Sequence, residues 1–439
     1  MKHLPTFLLS ALCAASFAQE ATPAAAEPET VIPNEAAVEE KSVRDMIDDY
    51  LAAKGWSEGR NEKGDSFFYA AVGISSIQAP LEERGYIDSR VNAYNKAMLK
   101  AKAQMAEFLE ISIQTETENA YTEGNIGGNE AAEADEMSIS AKIKRLLVAK
   151  LDKALREEGV EPESADQAAR ERVAKKQLNS DVYSKLIRTA AKAEITGMQV
   201  CCSFEGVPRG KKGEIGVVAI WSPKLQSMAS SLKTGRALPA VANGKKPIRE
   251  QIPTDAMALL STFGVQQKID ENGRMVLIGF GQAGAVTDSS QSSVAAENKA
   301  RLQAMAAIRE FAGESVAVVT DCLNAETVEE FENAAEEYEN VSAYSQKIKA
   351  VADEMKISGI ATIKRWNTKH PLTGKTVYGV ICSWSPMQAA DAKGMKAAMD
   401  GKAPVSSAVS PAAKPETTQP LLIDKTLSNT GAAADDDAF

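Results

Sequence analysis

Apolar residues recur at helical spacing in two well-separated stretches of the chain. In the first, Ala97, Ala101, Met105 and Phe108 follow one another at intervals of four, four and three; in the second, Ala300, Ala304, Ile308 and Phe311 do the same. Each set is one apolar face at α-helical period. Around each helix the other elements recur in the same order. Arg44–Lys54 and Asp255–Phe263 predict short helices stopped by Gly55 and Gly264. Ser66–Gly73 and Met275–Gly279 predict strands. Asp88-Ser89 and Ser292-Ser293 supply N-cap residue types ahead of the long helix. Ile111–Thr117 and Ser315–Asp321, rich in β-formers, predict strands after it. Gly197–Phe204 with Glu214–Trp221, and Gly359–Trp366 with Thr376–Trp384, read as closing hairpins with Gly/Pro turns. A helix follows Pro223 and another follows Pro386, since Pro suits a first helical turn.

The two patterns are copies of one domain. Asn95–Phe108 aligns without gaps on Asn298–Phe311, with 8 of 14 positions identical. Ile195-Thr196-Gly197 corresponds to Ile357-Ser358-Gly359, Trp221-Ser222-Pro223 to Trp384-Ser385-Pro386, and Gly55 and Gly64 to Gly264 and Gly273. A period this long marks a domain duplication and not a solenoid. The copies span 43–235 and 248–402, joined by a Gly/Pro-rich linker at 236–247. They differ most in an insert: a charged, Ala-rich helical stretch from Ala131 to Lys192, broken near Gly159–Pro162, against a shorter acidic one from Glu326 to Glu354. The layout per copy is β-α-β-(α insert)-β-β-α. The fold class is therefore α+β, with a mostly antiparallel sheet and helices on one face. The expected repeat-core residues are Gly73, Ala97, Ala101, Phe108, Gly197 and Trp221, and Gly281, Ala300, Ala304, Phe311, Gly359 and Trp384. The alanines would let each helix lie close to its sheet.

The ends have a different composition. Residues 1–18 combine a basic start, an apolar run from Leu4 to Leu12 and small residues before a cleavage point after Ala18, the pattern of a secretory signal peptide. Leu12 beside Cys13 does not fit a lipidation motif. Residues 19–42 form an Ala/Pro/Glu spacer, and 403–439 a Pro-punctuated tail ending in three aspartates and Phe439; neither has enough apolar content to offset ordering entropy, so both are expected to be disordered. No later run of 18 apolar residues predicts a transmembrane helix.

A small-residue strand ending in Gly73 or Gly281, a helix with Ala97 and Ala101 or Ala300 and Ala304, and a Gly-started hairpin closing near Trp221 or Trp384 together resemble a known family. It is the exported domain of the twenty-kilodalton lipoproteins and of the N-terminal part of a flagellar outer-ring protein. The chain is also similar to exported proteins of Gram-negative gut anaerobes. The resemblance implies envelope association and protein–protein contact without catalysis.

Composition narrows the chemistry. The chain has 439 residues, 50 Lys+Arg against 60 Asp+Glu, two His, five Cys and 5% aromatics. The acidic balance argues against nucleic acid as a partner. Two histidines, one of them inside the signal, exclude a site built from several His ligands. His370 in the second hairpin turn is expected to be solvated. Gly279, Gly281 and Gly284 have dinucleotide-loop spacing, but the helix begins too late for a phosphate to rest on its N-terminus. The serines 289, 290, 292 and 293 lack a base, and the acidic pairs at 329–330 and 336–337 lack calcium-loop spacing. Neighbouring Cys201 and Cys202 on a strand are expected to face opposite ways. Cys322 and Cys382 could form a disulfide if their strands approach. No catalytic, metal-binding or cofactor residue emerges.

Two functions remain. The favoured expectation is a non-enzymatic exported structural or protein-interaction protein of the bacterial cell envelope, with envelope proteins as partners. Its duplication would supply paired contact sites. The alternative is a small-ligand or glycan-binding periplasmic module that uses Trp56, Trp221 or Trp366 as stacking platforms.

Overall fold

In a computed structural model of the chain, the repeat is visible as two sheets with one topology. The structure describes residues 41–122, 139–178, 195–207, 212–234, 244–285, 289–313, 359–399, 416–417 and 427–434, with a few single positions between them. The first repeat runs α1 (Val43–Lys54), β1 (Gly59–Lys63), β2 (Ser66–Ser76), α2 (Tyr86–Thr122), α3 (Ile139–Glu157), α4 (Gln167–Leu178), β3 (Gln199–Val207), β4 (Glu214–Trp221) and α5 (Pro223–Thr234). The second runs α6 (Ala256–Leu260), β5 (Gly264–Ile269), β6 (Met275–Gly284), α7 (Ser290–Gly313), β7 (Ala361–Lys369), β8 (Thr376–Trp384) and α8 (Pro386–Met399). Two short strands follow, β9 (Glu416–Thr417) and β10 (Leu427–Thr430). The sheets are ordered β1-β2-β4-β3-β10 and β5-β6-β8-β7-β9. Every pairing is antiparallel except β7 with β9. The α+β class and the antiparallel sheets are as the sequence predicts.

The repeat core explains its glycines. A Cβ on Gly73 would fall on the Ala97 carbonyl oxygen, and one on Gly281 would fall on that of Ala300. The helix backbone therefore lies directly on the sheet, with Ala97, Ala101, Ala300 and Ala304 all fully buried beneath it. Gly197 and Gly359 start the hairpins with φ of 89° and 88°, a conformation that favours glycine. Trp221, Trp384 and Phe311 are buried; Phe108 is half-buried and stacks on Tyr69. In the first sheet α1 covers the face opposite α2, and Val43 and Ile47 sit over Gly216. It starts with a Ser42/Asp45 capping box and ends at Gly55 in the left-handed region.

Several details differ from the sequence reading. Ile111–Thr117 is not a strand: α2 continues through it. Leu109, Ile113, Thr117 and Tyr121 are buried at intervals of four, and the three large ones share a cluster with Leu147 and Leu151 of α3 and Val173 of α4. Packing of the insert overrides the β-propensity of that stretch. Asp88 and Ser89 lie inside the first turn of α2, and Ser89 Oγ instead accepts from the Gln78 and Ala79 amides. Strands β1 and β5 were not legible, because GRNEK is mostly polar and the middle of GVQQKI is a polar run. The segment from 403 onward is not wholly a solvated tail, since β9 and β10 join the two sheets and Ala434 is buried. Cys201 and Cys202 do not face opposite ways. A β-bulge between Val200 and Cys202 breaks the alternation, and both thiols enter one core cluster. The second repeat has the same bulge at the same distance past its hairpin glycine, between Thr362 and Lys364.

Expectations for the signal peptide, the spacer, Ser315–Asp321, the second insert and Cys322 lie outside the described residues. Among the described residues, no helix is long and apolar enough to cross a membrane.

Candidate functional site

The described residues from 41 onward form one compact unit, and the two repeats pack directly on one another. They meet head to tail. Strand β3 of the first lies beside edge strand β5 of the second, and the Gln267 amide donates to Gln199 Oε1 at 2.6 Å. Strand β5 is buried along its whole length despite Gln266, Gln267 and Lys268. The face of the second sheet that α7 leaves open is covered partly by the first repeat. Tyr86, Ile87 and Val91 of α2 join Ile278, Phe280 and Trp366 in one cluster. Tyr94 stacks on Phe263, with centroids 4.7 Å apart.

At this boundary four polar side chains converge, each at most 1% exposed: Arg90, Glu205, Gln282 and His370. Arg90 comes from the start of α2 and Glu205 from β3. The guanidinium grips the carboxylate with two bonds, Nε to Oε1 at 2.7 Å and Nη2 to Oε2 at 2.6 Å. It also donates from Nη1 to Gln282 Oε1 at 2.8 Å and from Nη2 to the Leu260 carbonyl, both in the second repeat. Its flat face lies 4.8 Å from the Phe263 ring centroid. Gln282, on β6, spends its own amide on the carbonyls of Leu259, Leu260 and Thr262. His370 Nε2 lies 3.4 Å from Glu205 Oε1, and the Tyr86 ring packs edge-on to the imidazole.

The charge state follows from these contacts. Burial opposes ionisation of Glu205, but the Arg90 charge and the hydrogen bonds from His370 and Arg90 outweigh it and hold the carboxyl down at about 2. Burial and the Glu205 charge push the Tyr86 hydroxyl well above its ordinary range. Glu205 is thus an acceptor already filled by Arg90, in a place closed to solvent. That arrangement suits a clamp between domains.

The structure corrects the expectation for His370. It is not solvated, because the β7–β8 turn is inserted against the first repeat. There Lys375 Nζ donates to the carbonyls of Leu81 and Glu83. Gly279, Gly281 and Gly284 lie within strand β6; the first two make room for the α7 backbone at Ala304 and Ala300 and the third for Ile87, which accounts for the dinucleotide-like spacing. Cys201, Cys202 and Cys382 are buried and outside any disulfide, and burial raises the thiols of Cys202 and Cys382. Cys382 Sγ lies 3.8 Å from Thr362 Oγ1. Trp221 and Trp366 are 4% exposed, so neither is a platform; the half-buried Trp56 packs edge-on against Tyr50 and Phe68.

Arg90, Glu205 and Gln282 were not singled out by the sequence. One signal was present: Glu205 is the lone charge in the apolar strand QVCCSFEGV. Another was the broken repeat. The equivalent positions of Arg90 and Glu205 hold Ser293 and Asn367, and Ser293 there accepts from the Tyr378 hydroxyl at 2.6 Å. The clamp therefore exists once, where the two copies join.

Residues 137–234 match a family described as "Domain of unknown function (DUF6844)". No curated protein matches the chain. Among solved structures, the chain is similar to the hypothetical protein FTT1539c from Francisella tularensis. That likeness has 19% identity and a TM-score of 0.44, and covers 80% of this chain and 93% of that one.

Proposed function

We propose that the chain is an exported, non-enzymatic structural or protein-interaction protein of the bacterial cell envelope. The observation that carries this reading is where its polar chemistry is spent. Arg90, Glu205 and His370, the groups best suited to catalysis, are sealed between the repeats at no more than 1% exposure. Meanwhile the equivalent strands β3 and β7 each pair along their outer side with a short strand from the C-terminal segment, β10 and β9. A sheet edge that accepts strands is a general means of protein recognition. Export rests on the N-terminal sequence, and the envelope setting on the resemblance of the repeat to exported lipoprotein and outer-ring domains.

The test is cross-linking in intact cells followed by purification of the mature chain. Recovery of a defined envelope protein in stoichiometric amount supports the proposal. Saturable sugar binding that quenches tryptophan fluorescence, with no protein adduct, would replace it with the glycan-binding alternative.

A further inference from the structure

The C-terminal segment does more than end the chain. After β10 pairs with β3 from Leu427↔Val207 to Thr430↔Phe204, the backbone continues along the same strand. The Gly431 amide donates to the Ser203 carbonyl at 2.6 Å, and that of Ala434 to the Cys201 carbonyl at 2.7 Å. The second repeat forms the opposite wall. Thr262 Oγ1 accepts from the Ala432 amide at 2.8 Å, Gln266 Nε2 donates to the Ala432 carbonyl at 2.6 Å, and Lys268 Nζ donates to that of Ala433 at 3.0 Å. Cys202 Sγ lies 3.3 Å from the Gly431 carbonyl oxygen.

The segment is therefore bound as a ligand would be, in a groove between β3 and β5. Main-chain bonds hold it, and the width of the groove selects it. A Cβ on Gly431 would fall on the Ser261 carbonyl and lie 2.8 Å from Ser203 Oγ. The groove reads an extended strand with glycine at that position and small residues after it. Strand addition of this kind takes its affinity from the backbone and its specificity from the pockets.

We propose that this groove is a strand-binding site that also accepts Leu427–Ala434 from a second copy of the chain, so that the protein self-associates by exchanging its C-terminal strand. The groove itself points to this occupant, since the sequence that fits it is the chain's own. The element that precedes β10 is β9, so an exchanged strand would cross to a neighbouring molecule over residues 418–426. Contacts in an exchanged pair are identical to those within one chain, which makes swapping a low-cost route to dimers. Linkage within one chain favours self-closure over exchange at low protein concentration. Exchange therefore grows with protein concentration. The inference rests on the interaction reading only in using the same sheet edge, and loss of peptide binding would sink it without touching envelope contact.

The experiment uses the full chain carrying Gly431→Val, which cannot seat its own strand, and a fluorescent peptide of the sequence Leu427–Ala434. The expected result is saturable 1:1 binding to the variant, at least tenfold weaker binding to the unmodified chain, and no binding of a peptide with Val in place of Gly431. A 1:1 heterodimer with a chain carrying Ser203→Tyr, which keeps its tail but blocks its groove, identifies the second copy as the source. Equal binding of both peptides, no peptide binding to the folded variant, or absence of the heterodimer overturns the proposal. If Gly431→Val does not fold, a protease site placed within 418–426 is cut after folding. Replacement of the nicked strand by labelled peptide supports the proposal, and failure to exchange over days contradicts it.

Discussion

Arg90 and Glu205 share two charge-assisted hydrogen bonds, 2.7 and 2.6 Å long, at a depth where neither side chain reaches solvent. The pair belongs to the first repeat, and the remaining guanidinium bonds reach into the second. Removing one partner strands a buried charge, which costs about 3–5 kcal/mol. Glu205→Gln and Arg90→Met should each lower the unfolding free energy by that order in urea titrations. The double variant should lose less than the sum of the two. Additive losses in the double-mutant cycle would show that the two groups do not act as a unit.

The same pair sets an acid limit. Glu205 has a folded value of about 2 against an ordinary value of 4.5. A group whose value is depressed by folding stabilises the fold above its unfolded value and loses that contribution as pH falls through its folded value. The unfolding free energy should therefore decline between about pH 4.5 and 2. The decline should be shallower in Glu205→Gln, where nothing titrates at this position. Identical pH profiles for the two proteins would remove Glu205 from the account.

Close helix–sheet contact depends on particular glycines. Gly73→Ala and Gly281→Ala each push a methyl into a helix carbonyl, and overpacking of this kind costs about 1–3 kcal/mol. Gly394 sits exposed in α8 with nothing near its missing side chain. Gly394→Ala should stabilise the protein, by roughly 0.5–1 kcal/mol. Melting curves of the three variants decide this by opposite signs.

Much of this architecture was legible because its signals are local. The period of Ala97, Ala101 and Met105, the glycines at 55, 197 and 359, and the prolines at 223 and 386 each constrain the backbone where they stand. What the sequence hid depends on distant partners. Ile113 and Thr117 look like strand residues until the insert packs on them. Gln266, Gln267 and Lys268 look like surface until the C-terminal strand and the first repeat bury them. His370 looks like a turn residue in water because nothing adjacent in sequence announces Glu205. The clamp was least legible, since its four members come from two repeats and the duplication does not repeat it.

Thiol chemistry offers an independent check on burial. Cys201, Cys202 and Cys382 lie in the core, and burial raises the thiols of Cys202 and Cys382, which keeps the reactive thiolate scarce. Alkylation of native protein should leave all three unmodified by mass spectrometry. In denaturant without reductant all three should react. Failure of Cys382 to react under those conditions would place it in a disulfide.

We propose that the chain works by contact with other proteins of the envelope. A photo-cross-linking residue in place of the exposed Ala361, at the start of β7, tests it in intact cells, with the same residue in place of Glu62 on β1 as the comparison. The account predicts adducts between the β7 position and one or a few envelope proteins, and fewer from β1. No envelope adduct from either position, together with saturable sugar binding by the purified mature chain, would contradict it.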